Sequence, residues 1–107
     1  MWKIGNIEIN SKVVLAPMAG ITSLGYREFM ASFGVDVTVT EMVSDMGLIY
    51  GNRETSEYIA YPKDNYLTGV QLFGHDPVSI AKAAKIALEA NPNIACVDVN
   101  MGCPVPK

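Results

Sequence analysis

The sequence predicts an α/β fold: the N-terminal portion of a (β/α)8 TIM barrel, preceded by a β-hairpin, with about four parallel strands and intervening helices. Three observations point there. Apolar, β-branched runs alternate with segments of helical periodicity, and strands apolar on both sides need helical crossovers, which makes their sheet parallel. No Gly-x-Gly-x-x-Gly follows the first strand and no Gly-x-x-x-x-Gly-Lys-Ser/Thr occurs, so dinucleotide-binding and P-loop folds lose their main support. Polar or unusual residues recur where strands end, at Pro17-Met18, Glu41, Gln71 and Asn100 through Cys103, and a barrel carries its active site at the carboxyl ends of its strands.

The elements follow in order. Trp2-Lys3-Ile4 and Ile7-Glu8-Ile9 flank Gly5-Asn6, a two-residue connection suited to the positive φ of a tight hairpin. Val13-Val14-Leu15-Ala16 is a continuous apolar strand stopped by Pro17. Thr22 or Ser23 caps a helix whose Tyr26, Phe29, Met30 and Phe33 share a face at i, i+3, i+4 and i+7, and Gly34 supplies its left-handed ending. Val35 to Thr40 alternates and is β-branched, a second strand ending at Glu41. Met42 to Tyr50 reads as a short helix with Met46, Ile49 and Tyr50 on one face and Gly51 closing it; Thr55 to Tyr61 adds another turn or two before the loop Pro62-Lys63-Asp64-Asn65. Leu67 to Phe73 is the third strand. Asp76-Pro77 starts a helix with a side-chain cap and a proline at its first position, Ile80, Ala83, Ala84, Ala87 and Leu88 marking the apolar face and Asn91-Pro92 the end. The fourth strand runs from Ile94 to Val99.

Half of the 107 residues are apolar and 18% are charged, which excludes a disordered class and fits one globular domain at most. A full barrel takes about 250 residues, so the expectation is an incomplete barrel domain over residues 1–107, its first and fourth strands left as unpaired edges. The net charge of −3 and pI near 4.9 give no global electrostatic footprint for a nucleic acid, so affinity for one would come mainly from elsewhere. Two cysteines without regular spacing do not make a disulfide framework. No apolar run reaches the roughly 18 residues of a membrane span and no signal core follows the N-terminus, so the expected setting is cytoplasmic, with no membrane partner.

On the fourth strand Cys96, Asp98 and Asn100 share one face and Val97 and Val99 the other. With the valines against helices, the polar set points into the barrel, Asn100 lies near the mouth, and Cys103 follows on the loop. By position alone Cys103 is a residue tolerated in a Gly-Cys-Pro turn, a nucleophile, a metal ligand or a proton donor. The nucleophile reading lacks a base, since the one histidine, His75, precedes a helix start on another loop and reads as a surface residue there. Cys96, Cys103 and His75 lack zinc-ligand spacing, so no metal is expected. Cys96 reads as a small packed thiol. Gln71 is either a strand-end amide bonded to backbone or a donor and acceptor for a heteroaromatic edge. Pro17-Met18-Ala19-Gly20 is either a turn or a place where small residues let backbone approach a flat ligand. Glu41 reads as a helix-start carboxylate and Asp98 as a buried partner of polar groups.

Taken together, Ala16-Pro17-Met18-Ala19-Gly20, Thr40-Glu41-Met42-Val43-Ser44, Val70-Gln71-Leu72-Phe73-Gly74 and Asp98-Val99-Asn100-Met101-Gly102-Cys103-Pro104 resemble the tRNA-dihydrouridine synthase family, its bacterial members in particular. The resemblance spans essentially the whole chain. Ala-Pro-Met after a first strand is shared by several flavin barrels, whereas Asn-Met-Gly-Cys-Pro in this setting is specific. It implies an oxidoreductase of tRNA processing: a barrel holding FMN at its carboxyl face, joined to a smaller helical domain that grips tRNA. NADPH reduces the flavin, which passes hydride to C6 of a uracil base. By motif position Cys103 is the acid that protonates C5, Pro17, Met18 and Ala19 lie against the flavin, Gln71 hydrogen-bonds its pyrimidine portion, and Asn100 lies between flavin and uracil. The chain departs from the family at Ser23-Leu24-Gly25-Tyr26-Arg27, where an acidic residue and a proline are common. A flavin-contacting lysine, the phosphate loops and the tRNA-binding domain belong to later parts of such proteins.

Two other readings compete. Dihydroorotate and dihydropyrimidine dehydrogenases share the barrel, FMN and an Asn-x-x-Cys-Pro element, but tend to have serine before the cysteine and asparagine after the proline, where Gly102 and Val105 stand here. A non-catalytic truncated fragment is the other, suggested by an end that follows closely on an apolar strand.

Overall fold

The structure, a computed structural model, describes residues 1–51 and 67–102. Strands β1 (Trp2–Ile4) and β2 (Ile7–Ile9) form the antiparallel hairpin, with Trp2 opposite Ile9 and Ile4 opposite Ile7. Gly5 takes φ +58°, and no residue other than glycine has positive φ among those described, so the leading glycine alone makes the turn. The ribbon is pinned to the sheet by one carboxylate: the backbone N–H groups of Asn10 and Ser11 donate to Asp36 Oδ2 at 2.9 and 2.8 Å.

Five further strands are β3 (Val14–Leu15), β4 (Val37–Val39), β5 (Val43–Ser44), β6 (Leu67–Phe73) and β7 (Ile94–Val99), all paired parallel. β3 lies on β4, β4 on the first half of β6, and β7 on β6. Because β5 and β7 both pair with Leu72, while β4 and β7 both pair with Thr68 and Gly69, β4 and β5 share one edge of β6 and β7 takes the other. Chain order and spatial order therefore coincide, as they do around a barrel. Among the described residues β3 and β7 are each paired on one side only.

The helices are α1 (Leu24–Ala31), α2 (Asp45–Ile49) and α3 (Pro77–Ala90). Val70 and Leu72 of β6 and Val43 of β5, all fully buried, pack with Ile94 against Leu48 of α2 and Ala83 and Ala87 of α3, with Val97 at the margin. Alternation along β6 then puts Gly69 and Gln71 on the opposite face, level with Cys96 and Asp98 of β7. The valine of β7 that packs and the polar residues that do not are arranged as the alternation predicts.

All three helices depart in part from what the sequence predicts. Met42 to Ser44 is not helical: Val43 and Ser44 pair with Leu72 and Phe73, because β6 outlasts β4 and its far end takes a second partner on that edge. The helix starts only at Asp45, where the Ser44 hydroxyl accepts from Gly47 N, and it buries Leu48 rather than Met46 or Tyr50. The phenylalanines of α1 and the turn after it do not face the core: Phe29 on the helix is 60% and Phe33, just past its end, 70% exposed, edge to face at 5.1 Å, while Arg27 is buried with Nε donating to the Thr22 carbonyl. Spacing identifies a stripe and not the surface that will cover it. On α3 Ser79 is buried and Leu88 is not. The turn expected over Thr55 to Tyr61 and the loop from Pro62 lie outside the described residues.

Candidate active site

The site is built where the strands end. After β3, the Met18 carbonyl accepts from the N–H groups of Ile21 and Thr22, both at 3.0 Å, and the Thr22 hydroxyl accepts from Met18 N at 3.0 Å. This closes Pro17-Met18-Ala19-Gly20 into a turn in which Gly20 takes φ +76°. Pro17 is half-buried, and Met18 and Ala19 are exposed. After β4, Thr40 bridges strands: its N–H donates to the Gly69 carbonyl, and its hydroxyl accepts from Gln71 N at 3.1 Å while donating to the Glu41 carbonyl.

Glu41 is not a helix-start carboxylate. It is 9% exposed and accepts from Gly20 N, so it ties the β3 turn to the end of β4. The next residue works on the other side, for Asn100 Nδ2 donates to Met42 Sδ at 3.2 Å. Two adjacent residues thereby link the turn after β3 to the end of β7.

Gln71 is buried, with Nε2 donating to Asp98 Oδ2 at 2.6 Å and Oε1 accepting from Asn100 Nδ2 at 3.1 Å. Its side chain is thus bonded to other side chains and not to neighbouring backbone. Asn100 Oδ1 in turn accepts from Gly102 N at 3.0 Å. Asp98 partners a polar group as expected but is exposed rather than buried, since it stands near the open end of β7.

Cys96 lies deeper on the same strand. Its thiol pKa is pushed up from the ordinary value, first by burial and then by the Asp98 charge, both of which favour the protonated form. A Cβ on Gly69 would come within 3.0 Å of that sulfur, so the glycine makes its room. His75 is exposed just before α3. Cys103 lies outside the described residues; Gly102, which precedes it, is described. Among the described residues no three His, Cys, Asp or Glu side chains are grouped to hold a metal, and no helix is long and apolar enough to cross a membrane.

Pro17-Met18-Ala19, Gln71 and Asn100 are therefore all at the carboxyl ends of parallel strands, connected through Glu41 and Met42. The model of the family described as dihydrouridine synthase (Dus) matches residues 14–107. The chain belongs to the dihydrouridine synthase family. A probable tRNA-dihydrouridine synthase of Rickettsia bellii is 38% identical over 108 residues, covering 100% of this chain and 32% of the relative. One from Rickettsia conorii is 40% identical with the same coverage. A tRNA-dihydrouridine synthase B of Vibrio vulnificus is 33% identical over 98% of this chain and 32% of its own length. The chain thus spans about a third of these dihydrouridine synthases.

The bridging roles of Glu41 and Met42 and the place of Asp98 are not legible in the sequence. Alternation put Asp98 beside Asn100 on one face, but neighbours across a sheet depend on register, which one strand's sequence does not carry. Gln71 beside Asp98 is such a pair.

Proposed function

We propose that this chain is the N-terminal part of the catalytic barrel of a tRNA-dihydrouridine synthase that uses FMN and NADPH to reduce the C5–C6 bond of uridine in tRNA, in the cytoplasm. The observation that carries the reading is the Gln71–Asn100 amide pair at the strand ends, three residues before the cysteine of Asn-Met-Gly-Cys-Pro in a member of this family.

The donor set fits a flavin. Gln71 uses one of two amide hydrogens on Asp98 and one of two oxygen lone pairs on Asn100, so a donor and an acceptor remain for the alternating carbonyls and N–H of a flavin pyrimidine edge. Pro17, Met18 and Ala19 would flank the ring, the tight turn bringing backbone close to a planar ligand. Bound FMN, reduced by NADPH, would supply hydride to C6 of the base. Asn100 would orient the uracil, and Cys103 would give its thiol proton to C5. An acid must hold its proton at working pH, so Cys103 should not have the depressed pKa of a nucleophile.

A uracil stacked in tRNA is out of reach, so the base must leave its stack to lie over the flavin. With a net charge of −3, these residues supply little of the attraction for phosphates, and a helical domain outside them is assigned most of the tRNA contact. The 107 residues by themselves are expected to bind FMN more weakly than micromolar and to turn over no tRNA.

The test is a chimera in which residues 1–107 replace the matching third of a curated relative. It should form dihydrouridine in unmodified tRNA with NADPH, and Cys103→Ala within it should slow turnover by about 10²- to 10⁴-fold while FMN stays bound. A folded, flavin-loaded chimera active only on free pyrimidines would favour the dihydroorotate or dihydropyrimidine dehydrogenase reading instead. One that binds no FMN would favour a non-catalytic chain.

A further inference from the structure

Three donors at the carboxyl ends of β6 and β7 point one way. Gly102 N–H donates to Asn100 Oδ1 (3.0 Å), Asn100 Nδ2 donates to Gln71 Oε1 (3.1 Å), and Gln71 Nε2 donates to Asp98 Oδ2 (2.6 Å). The two ends of a side-chain amide are nearly the same shape, so partners alone decide which end presents oxygen. A carboxylate only accepts. Turned round, Gln71 would set its oxygen against a carboxylate oxygen and its nitrogen against the nitrogen of Asn100, two repulsive contacts in place of two bonds. Aligned bonds in series also polarise one another, and this series ends on an anion.

We propose that Asp98 is a positioning residue, the accepting terminus of a one-directional amide chain that fixes which way Gln71 and Asn100 face. Through Gly102 the same chain holds the backbone that leads into Cys103. The consequence for a ligand, which rests on the flavin reading above, is that Gln71 meets a planar imide with an acceptor for its N–H. The alignment itself does not depend on that reading. Asp98 needs no contact with cofactor or substrate for this, and its exposed position near the end of β7 lets it be replaced without opening the core.

The experiment uses the 107-residue chain labelled with 15N, wild type against Asp98→Leu and Asp98→Asn, with the backbone amide spectrum as the control for folding. Wild type should show one set of Gln71 and Asn100 side-chain amide signals. In Asp98→Leu the Gln71 signals should double or lose dispersion, while Asn100, still held by the Gly102 N–H and Met42 Sδ, should change less; Asp98→Asn, which offers an acceptor of the same shape, should be intermediate. Should the leucine variant not fold, Asp98→Ser, too short to reach the amide, serves in its place. Titration with FMN and with FMN methylated at N3 should show wild type favouring FMN by about five- to tenfold, the worth of one hydrogen bond, and the leucine variant showing no preference. Unchanged side-chain amide signals in the leucine or serine variant would overturn the proposal. Signals that randomise in that variant, together with a wild type indifferent to flavins, would uphold the alignment and remove the flavin reading.

Discussion

Gly74 is held to glycine by a neighbour rather than by its own backbone angles. A Cβ there would overlap the carboxylate of Asp45, a buried group that accepts from Met46 N and from the hydroxyl of Ser79 on α3. Gly74→Ala should therefore cost about 1–3 kcal/mol, the usual penalty of overpacking, read as a lower urea midpoint with unchanged slope; an unchanged midpoint would show that Asp45 can move. Across β4 and β6, Thr38 and Thr68 are register partners, both buried, and their hydroxyls have no hydrogen-bond partner among the described residues. Replacing both with valine removes two unsatisfied groups at little change in shape, so the double variant should raise the midpoint rather than lower it. At Cys96 burial raises the thiol pKa in the folded chain. As pH climbs past the ordinary thiol value the unfolded state loses its proton first, so this residue makes stability fall between that value and the raised one. At pH 8 its alkylation should be slower than that of a cysteine in a short peptide, and an equal rate would mean that the sulfur is open.

At the scale of elements, the starts of α1 and α3 are among the features most directly written in the sequence, whereas that of α2 is not. Asp76-Pro77 begins α3 as expected, with Asp76 Oδ1 accepting from Val78 N at 3.0 Å, and Asp76→Ala should cost about 0.5–2 kcal/mol in thermal or urea unfolding. Leu67–Phe73 and Ile94–Val99 were equally plain, as β-branched or apolar runs bounded by turn residues. What could not be read was whatever depends on a partner distant in sequence. The strand at Val43 and Ser44 exists because the end of β6 needs a neighbour, and two residues carry no periodicity of their own. The buried side of α1 follows Arg27 and not the phenylalanines, since apolar spacing marks a face without naming its cover. At the site, alternation along β7 placed Asp98 and Asn100 on one face, but their meeting with Gln71 is a matter of register between strands. Glu41 shows the same gap: its partner, the Gly20 N–H, is brought to it by the fold.

For the molecule as a whole, much apolar surface stays open among the described residues. Val13, Val14, Ile21, Phe29, Phe33, Met46, Leu88 and Val99 are each at least 40% exposed, and such surface with two strand edges favours association. Sedimentation of the 107-residue chain should show mass rising with concentration; a monomer at high concentration would mean that these patches are too scattered to act together. The claim on which the functional reading turns is that the carboxyl ends of the strands, and no other surface, receive the flavin. Backbone amide shifts of the 15N-labelled chain, followed while FMN is added to millimolar concentration, test it most directly. Met18, Ala19, Gly20, Gln71 and Asn100 should move together, while Val37, Leu67 and Ile94 at the opposite ends of the same strands stay in place. Shifts confined to those opposite ends, or none anywhere, would contradict it.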